Sequence, residues 1–356
     1  MRIRSPASAP TSLAAVAARV DERIERLFET ELTRWQELDV NLEAPLRSLQ
    51  RLVDAGGKRL RPAFCFWGFV GAGGDPDDPR VIDAGAAFEL LHAFALVHDD
   101  VMDGSATRRG ETTAHVEFGE RHRTATWRGE PRRFGEGVAI LIGDLSHVYA
   151  DLLLDGASMG QVASVWHELR LELNVGQYLD ILGTARGDRD PGVARRIARY
   201  KSGKYTIERP LHVGAALAGR LDQLRGPLTA YGDPLGEAFQ LRDDVLGAFG
   251  DEARTGKPVG QDLREGKPTP LLASATRRAS DAQTETLDLV GVTELSDGDV
   301  TAVQRVLVDT GALAEMESRI TDLTAQAIAA IERADVTAEA RDELVELASY
   351  VASRDA

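Results

Sequence analysis

The sequence contains one cysteine, Cys65, and only five lysines among its 42 lysine and arginine residues. A single cysteine excludes an internal disulfide framework and a metal site built from several thiolates. Apolar runs such as "FELLHAFALV" and "GVAILIG" are shorter than the roughly 20 residues that a membrane-spanning helix requires. These absences predict a cytoplasmic protein without a membrane span.

The net charge of −15 disfavours nonspecific binding to nucleic acid or to an anionic membrane. With 43% hydrophobic and 28% charged residues, the chain of 356 residues has the composition of a globular protein. Its basic start is interrupted by Pro and Ser, which argues against a signal peptide. We therefore expect a flexible tail over residues 1–14 and a single domain over residues 15–356.

Apolar residues recur at intervals of three and four along most of the chain, which predicts an all-α protein, one large helical bundle. Alternating strand-like runs are scarce, and Gly, Pro and Asp mark the interruptions. We expect the arginine-rich residues 120–137, "ERHRTATWRGEPRRFGEG", to form a surface loop. The predicted helices cover residues 13–37, 43–53, 59–70, 79–102, 136–155, 158–183, 191–203, 207–220 and 225–250, with more after residue 268.

The stretch "LVHDDVMDGSATRRG", residues 96–110, places three aspartates at a predicted helix end and two arginines just after it. Asp99 and Asp103 are four residues apart and share one helix face with His92, two turns earlier. Stacked carboxylates repel one another unless a cation bridges them, and Mg²⁺ is commonly held by one or two carboxylates plus substrate phosphates. Alone, this motif is equally typical of an ordinary acidic helix end.

A second motif, "FQLRDDVLGAFGD", places Asp243 and Asp244 after another apolar helical run. The glycine-rich stretch that follows carries Lys257 and Lys267, and four of the five lysines directly follow a glycine. Lysine carried by flexible backbone is suited to phosphate oxygens. The two acidic motifs together predict a pocket with two acidic walls, in which several Mg²⁺ ions hold a diphosphate.

A basic motif, "GGKRLRP" at residues 56–62, places Lys58 and Arg61 at a predicted helix start. Backbone amides and the helix dipole favour an anion at such a position. Because the motif is separate from the acidic helices, it predicts a second phosphate site without metal. Two anion sites of different chemistry imply two phosphorylated substrates.

With these motifs in this order, the sequence resembles the trans-prenyl diphosphate synthases of the polyprenyl synthetase type. "LLHAFALVHDDVMDGSATRRGETTAH" resembles the first aspartate-rich region of the family, "YKSGKYT" its central lysine motif and "FQLRDDVLGAFGDEARTGKP" its second aspartate-rich region. The resemblance implies an all-α bundle around a deep cavity and a homodimer. It further implies head-to-tail condensation of isopentenyl diphosphate with an allylic diphosphate, with the departing diphosphate as proton acceptor.

The resemblance also implies roles for individual residues. Three Mg²⁺ ions per active site would be bound by Asp99, Asp103, Asp243 and Asp244. Isopentenyl diphosphate would be bound by Lys58, Arg61, His92 and Arg109. The allylic diphosphate would be bound by Arg108, Lys201, Ser202, Gln240, Lys257 and Lys267. The glycine-rich residues 250–268 would act as a lid.

The chain departs from the family pattern at Gly247, which stands where a third aspartate is expected. Asp251, on roughly the same helical stripe, is a candidate substitute. A class I terpene cyclase stays open as an alternative, although a cyclase needs no second diphosphate site such as "GGKRLRP" and Arg109. A noncatalytic subunit of a heteromeric synthase also stays open, although such subunits usually lose the acidic motifs that this chain keeps.

Phe94 and Ala95 lie five and four residues before Asp99, where a growing prenyl chain would run along the helix. A prenyl unit is about as long as one helical turn, roughly 5.4 Å, so Phe94 can act as a floor. This pattern resembles that of geranylgeranyl (C20) synthases. A farnesyl or longer product, and simple helix packing by Phe94, are the alternatives. Arg354, near the chain end, could fold back toward a diphosphate, but we expect it to lie in a frayed tail.

Overall fold

A computed structural model of the chain describes residues 9–155, 160–250, 259–291 and 295–354. Helices dominate these residues, and their only β-structure is one hairpin of two-residue strands, which confirms the all-α class. The elements are α1 (Thr11–Leu38), a 3-10 helix (Val40–Leu42), α2 (Glu43–Asp54), α3 (Leu60–Gly71), α4 (Pro79–Asp103), β1 (Thr107–Arg108), β2 (Glu111–Thr112), α5 (Ala114–Thr124), α6 (Pro131–Asp155), α7 (Gln161–Arg186), α8 (Pro191–Ile197), a π-helix (Ala198–Glu208), α9 (Arg209–Leu217), α10 (Leu221–Phe249), α11 (Gln261–Glu265), α12 (Pro270–Arg278), α13 (Asp281–Leu287), α14 (Asp297–Asp309), α15 (Ala312–Glu332) and α16 (Ala338–Ser353).

The loop predicted over residues 120–137 is mostly wrong, because α5 ends at Thr124 and α6 begins at Pro131. Only residues 125–130 connect the two helices. The sequence of α5 is polar on most sides, so its weak apolar pattern concealed the helix. The short connection is anchored by aromatic contacts, since the rings of His122 and Trp127 both pack against Phe134.

The described chain divides into two compact units. The first unit contains residues 11–66 and 76–155, and the second contains residues 9–10 and 67–75 together with the described residues from 160 onward. Helix α1 begins at Thr11, inside the tail expected over residues 1–14, and Leu13 is buried. A single domain over residues 15–356 stays a prediction.

In the first unit, α4 is buried on nearly all sides and packs along α6. Asp78 caps α4 by accepting a hydrogen bond from the backbone N–H of Arg80, and Pro79 supplies a first residue that has no N–H to satisfy. Gly104 ends the helix with a φ of 66°. These caps fix where α4 stops, and therefore where its aspartates lie.

In the second unit, the long helix α10 packs against the π-helix and α15. Gly203 of the π-helix lies against Gly236 of α10, where a Cβ atom on either residue would come within 3.0 Å of the other backbone. The hydroxyl of Tyr231 donates to the carbonyl of Leu344 (2.7 Å), which joins α10 to α16. These contacts hold α10, and with it the second acidic motif, in place.

Two helices of the first unit, α4 and α6, are long and apolar enough to cross a membrane by length and composition alone. In the most apolar stretch of α4, 67% of the residues are buried inside the protein, against 44% in α6. Core helices of this kind pass the same test, so neither helix of the described chain is a clear membrane span.

Candidate active site

The first acidic motif forms the last turn of α4, and the β1–β2 hairpin returns an arginine to it. Arg108 Nε donates to Asp100 Oδ1 (2.6 Å), and Arg108 Nη2 lies 3.5 Å from Asp99 Oδ2. Asp100 is buried, and this burial raises its pKa to about 6 against the opposing effect of Arg108. Asp103 is exposed at the helix end. The arginines after the motif therefore balance a cluster of carboxylates that would otherwise repel one another.

The hairpin turn consists of Arg109 and Gly110, whose φ angles are 54° and 79°. Two central residues with positive φ are typical of the tight turn that best fits a hairpin's twist. This conformation is uncommon for a residue with a side chain, and such strain often lies at functional sites. The Arg109 guanidinium lies beside Gly57, where a Cβ atom would be 3.2 Å from Nη2. The hairpin thus carries Arg109 to the "GGKRLRP" motif.

His92 lies among cations on the first unit. Its pKa is lowered well below the usual value, first because it is buried and then because of the charges of Arg61, Arg109 and Arg108. His92 is therefore a neutral imidazole near neutral pH. Three of the four residues predicted to bind isopentenyl diphosphate are brought together here, and the fourth, Lys58, directly follows Gly57. A concentration of cations of this kind favours a polyanion.

Arg59 of the same motif has a different position. It is buried with a φ of 48°, and its guanidinium donates to Glu89 Oε2 (2.7 Å), Asp21 Oδ1 (2.8 Å) and the carbonyl of Val53 (2.9 Å). The Arg59 guanidinium is therefore hydrogen-bonded to groups of the protein itself. In this way Arg59 anchors the backbone from which the Lys58 side chain projects.

Phe94 packs between two imidazoles on the first unit. Its ring centroid lies 4.7 Å from that of His98 and 4.8 Å from that of His147 on α6, the latter nearly parallel. A Cβ atom at Gly143 of α6 would overlap the His98 ring. The lack of a side chain at this position therefore allows the His98 ring to pack against α6. Phe94 therefore takes part in helix packing, and its role as a floor stays a prediction. Ala95 beside it is half-buried.

The second acidic motif lies near the end of α10, in the second unit. Asp244 is buried and its Oδ1 accepts a hydrogen bond from Gln240 Nε2 (2.7 Å), whereas Asp243 is exposed. Burial raises the pKa of Asp244 well above its usual value, against the effect of the Gln240 hydrogen bond, and the charges of Asp262 and Asp243 raise it further.

The central lysine motif lies within the π-helix rather than on flexible backbone. Lys201 Nζ lies 2.5 Å from Asp180 Oδ2 on α7, with the half-buried Ser202 next to it. Lys204 forms ion pairs with Glu172 (3.1 Å) and Glu208 (3.4 Å). The expectation that glycine gives lysine mobility is wrong for Lys204, because the preceding Gly203 serves close helix packing.

Two further predicted residues come from the stretch after α10. Lys267 Nζ lies 2.7 Å from Glu265 Oε2 at the end of α11. Lys257 and Asp251 lie outside the described residues, as do all of residues 251–258 of the predicted lid.

Comparison with known protein families identifies the group to which this chain belongs. The model of the polyprenyl synthetases matches residues 43–307, most of the chain. The chain belongs to the polyprenyl synthetase family. It is a trans-prenyl diphosphate synthase, which confirms the prediction from the motifs.

Several proteins are similar to this synthase over most of its length. A geranylfarnesyl diphosphate synthase of Aeropyrum pernix is 34% identical over 85% of this chain and 92% of its own. An all-trans-nonaprenyl-diphosphate synthase (geranyl-diphosphate specific) of Rhodobacter capsulatus is 32% identical over 80% of this chain and 81% of its own. The crystal structure of a geranylgeranyl pyrophosphate synthase from Corynebacterium glutamicum, complexed with isoprenyl diphosphate and magnesium, has 36% identity and a TM-score of 0.91, covering 96% of this chain and 99% of that chain. Because relatives of similar identity carry different product names, identity alone does not give a chain length.

The donor chemistry of the synthase fits Mg²⁺. Within the described ranges, no three His, Cys, Asp or Glu side chains lie close enough to enclose an ion by themselves. An ion that is shared with substrate phosphates needs only one or two carboxylates, and each acidic motif offers these. Oδ2 of Asp244 is buried and has no hydrogen-bond partner within the described part of the chain, which is costly for a polar atom. A divalent cation would coordinate carboxylate oxygens of this kind, including the buried Oδ2 of Asp244.

Arg354 is not in a frayed tail, and that expectation is wrong. It is buried, its Nη2 donates to Asp243 Oδ1 (2.9 Å), and its guanidinium lies 4.1 Å from the ring centroid of Phe239. The end of the chain thus supplies a cation to the second acidic motif. Its distance from that motif along the sequence concealed the contact.

Removing this cation should destabilise the metal-free synthase. Arg354→Ala deletes a cation–π contact with Phe239 and an ion pair with Asp243, so we expect a loss of about 1–2 kcal/mol in EDTA. Mg²⁺ with inorganic diphosphate should recover part of the loss, because the ions neutralise the same carboxylates. Thermal unfolding in both buffers measures this, with Arg354→Lys as the charge-preserving control. An unchanged melting temperature in EDTA would contradict the assigned role.

Sequence reasoning missed Asp180. This residue lies on the buried face of α7, in register with Leu173 and Gly176, and it forms the ion pair with Lys201. A carboxylate on an otherwise apolar stripe is the signal that could have revealed it.

Proposed function

We propose that this synthase catalyses the Mg²⁺-dependent, head-to-tail (1′-4) condensation of isopentenyl diphosphate with allylic diphosphates. One observation on the first unit carries the proposal. The carboxylates of Asp99 and Asp103 suit a diphosphate bridged by metal, whereas the cations around His92 suit a second diphosphate bound without metal. A cyclase would need only the first of these two groups.

The proposed isopentenyl diphosphate ligands are Arg61, Arg109, Lys58 and His92. The arginines supply planar forks of N–H donors that match phosphate oxygens, and the lysine supplies a point charge. Because the pKa of His92 is lowered, it would act as a neutral hydrogen-bond donor rather than as a cation.

The proposed allylic diphosphate ligands bring positive charge to the leaving group. Arg108 and Lys201 are held by Asp100 and Asp180, which orients both side chains before substrate binds. The remaining proposed ligands are Ser202, Gln240, Lys257 and Lys267. We further propose three Mg²⁺ ions, bound through Asp99, Asp103, Asp243 and Asp244. When bound, these ions supply charge that stabilises the departing diphosphate without a protein nucleophile.

The reaction balances with the two diphosphate substrates alone. The bond between the allylic C1 and its oxygen breaks, and the electron pair leaves with the diphosphate. The double bond of isopentenyl diphosphate attacks C1 through its C4, and the proton then lost from C2 passes to the departed diphosphate. The protein contributes charge, orientation and exclusion of water from the allylic cation.

Consumption of isopentenyl diphosphate tests this proposal directly. The protein is incubated with Mg²⁺ and an allylic diphosphate, with and without isopentenyl diphosphate, and with EDTA as the metal-free control. We expect products only when both substrates and Mg²⁺ are present. Cyclic hydrocarbon formed from the allylic diphosphate alone would indicate a cyclase, and no turnover would indicate a noncatalytic subunit.

We propose geranylgeranyl diphosphate (C20) as the main product. The pairing of bulky Phe94 with small Ala95 supports it, as does the similarity to a geranylgeranyl pyrophosphate synthase at a TM-score of 0.91. The ring of His147 stacks against the Phe94 ring and limits how far the Phe94 side chain can be displaced.

Removing the Phe94 ring should lengthen the product. In Phe94→Ala, the floor would lie about one turn lower, so we expect a shift from C20 toward longer chains, by at least one prenyl unit of roughly 5.4 Å. Chromatography of the dephosphorylated products measures the shift, and Phe118→Ala on α5 is the control for loss of a buried ring. An unchanged distribution in Phe94→Ala would show that this ring only packs the helices.

We also propose a homodimer in the cytoplasm. Helix α7 carries an exposed apolar stripe of Leu171, Val175 and Tyr178, which are 69%, 52% and 64% exposed. Their spacing of four and three places them on one face, and such a face is typical of a surface that packs against a partner. The acidic composition and single cysteine support the cytoplasmic location.

A further inference from the structure

Helix α7 of the second unit carries a row of carboxylates on the side that packs against the π-helix and α9. The row consists of Glu168, Glu172 and Asp180, which we call the carboxylate ladder. Residues four apart are neighbours on a helix surface, so intervals of four and eight place these side chains along one side of α7. The position left over in this spacing, 176, is a glycine.

Glu172 is the centre of the ladder because it receives two cations. Lys204 Nζ of the π-helix lies 3.1 Å from Glu172 Oε1, and Arg209 Nε of α9 donates to Glu172 Oε2 (2.7 Å). Nη2 of the same arginine donates to Glu168 Oε1 (2.7 Å). The side chains of Glu172, Lys204 and Arg209 are 15%, 11% and 4% exposed. Removing one member of such a buried set is costly, because the other charges are left without compensation.

Two turns further along α7, the ladder reaches a proposed substrate ligand. Asp180 Oδ2 lies 2.5 Å from Nζ of Lys201, which is proposed to bind the allylic diphosphate. Gly176 lies directly against the backbone of the π-helix, since a Cβ atom there would be 2.4 Å from Lys201 N and 2.7 Å from its Cα. The π-helix therefore touches α7 with its backbone at Lys201 and is joined to α7 by ion pairs at Lys201 and Lys204.

The form of the π-helix explains why it needs this support. Hydrogen bonds from i to i+5 usually occupy a single turn, often at functional sites, yet this segment has 11 residues, Ala198–Glu208. A return to α-helical bonding would remove about one residue from each turn and would rotate Lys201 and Lys204 relative to each other around the axis. The pairing of both lysines with α7 therefore favours the π form.

We propose that Glu172 is a positioning residue of this synthase. By pairing with Lys204 and Arg209, it holds the π-helix in the register that presents Lys201 to the allylic diphosphate. The inference rests on the proposed function. Glu172 acts through these residues rather than on substrate, because both of its carboxylate oxygens accept from cations of the protein.

Steady-state kinetics, with each substrate varied in turn, test this assignment. Glu172→Gln keeps the shape and removes the charge, so we expect kcat/KM for the allylic diphosphate to fall by about 10- to 100-fold through a higher KM, as for a misplaced binding group. The KM for isopentenyl diphosphate should be unchanged, because its proposed ligands belong to the first unit. A defect that only destabilises the fold would lower the amount of active enzyme and leave both KM values unchanged.

Lys204→Met is a milder variant, because it keeps the length of the side chain and leaves Glu172 with its other cation. It should also raise the KM for the allylic diphosphate, whereas Lys204→Arg, which keeps the charge, should retain the KM of the unmodified protein. Glu315→Gln is the matched control, since Glu315 is a part-buried carboxylate of the same unit that pairs with Arg278 (2.8 Å). It should leave both KM values unchanged.

Hydrogen exchange supplies a measurement that needs no turnover. In Glu172→Gln, the backbone amides of residues 198–208 should exchange faster than in the unmodified protein, because local opening of the π-helix becomes easier. The amides of α16 serve as the reference and should exchange at an unchanged rate.

Three results would overturn the assignment: an unchanged allylic KM in both Glu172→Gln and Lys204→Met, an equal rise in Glu315→Gln, or unchanged exchange of residues 198–208. A rise in Lys204→Arg as large as in Lys204→Met would also overturn it, because the charge would then not matter. Failure of the unmodified protein to consume isopentenyl diphosphate would instead refute the proposed function, and hydrogen exchange would still test whether Glu172 holds the π-helix.

Discussion

Asp99→Ala will reduce the rate of prenyl transfer by about 10³-fold at saturating Mg²⁺, the loss expected when a group that supports charge development at the reacting centre is removed. Asp99 lies near the end of the buried helix α4, and its Oδ2 is 3.5 Å from Arg108 Nη2. Its removal takes away a proposed metal ligand and also weakens the hold on that arginine. Initial rates from labelled isopentenyl diphosphate measure the effect.

Two controls define what this loss means. Glu29→Ala removes an exposed carboxylate of the same unit, on α1, and should leave the rate unchanged. Unfolding of Asp99→Ala should be no easier than that of the unmodified protein in EDTA, because fewer like charges remain at the end of α4. Near-normal turnover in Asp99→Ala would refute the assignment of the first metal-binding motif.

Glu89→Ala will lower the free energy of unfolding by roughly 3–5 kcal/mol, because it leaves a buried guanidinium without its closest charge partner. Arg59 and Glu89 are 6% and 4% exposed and lie 2.7 Å apart. The loss should appear as a lower urea midpoint, followed by tryptophan fluorescence.

The second partner of Arg59 supplies the comparison. Asp21 is 50% exposed, so Asp21→Ala should cost at most about 1 kcal/mol, as for other surface ion pairs. A similar loss of unfolding free energy in the two variants would show that burial does not determine how much the Arg59–Glu89 pair stabilises the fold. A small loss for both would show that the backbone around Lys58 is held in another way.

The helices and the two acidic motifs were predictable because both depend on local spacing. The three-and-four pattern of α4 fixed its ends within a residue, and Asp99 and Asp103 followed from it. Helix α5 was missed because most of its surface is polar, and the arginines around it were attributed to a loop. Periodicity reports burial, so a helix that buries only one narrow stripe leaves a weak signal.

Contacts between distant residues could not be predicted from spacing. The pairing of Arg354 with Asp243, and the position of Asp262 beside Gly247, join parts of the chain that local patterns treat independently. The sequence did reveal that a carboxylate was missing at position 247. Only the backbone positions of α10 and α11 reveal that Asp262 lies beside this position.

The lysine pattern was only partly informative. In the central motif, Lys201 follows a tyrosine rather than a glycine, and its side chain contacts Asp180. The neighbouring Lys204 does follow a glycine, but its side chain is paired with Glu172. Glycine can precede lysine for reasons of helix packing, and sequence alone does not distinguish that cause from a need for mobility.

The length of the product tests the central claim most directly. The protein is incubated with Mg²⁺, labelled isopentenyl diphosphate and C5, C10 or C15 allylic diphosphate, and the dephosphorylated products are separated by chain length. A dominant C20 alcohol from these primers is the predicted result. A longer main product would keep the condensation and contradict the Phe94 floor, and no elongation from any primer would contradict the account as a whole.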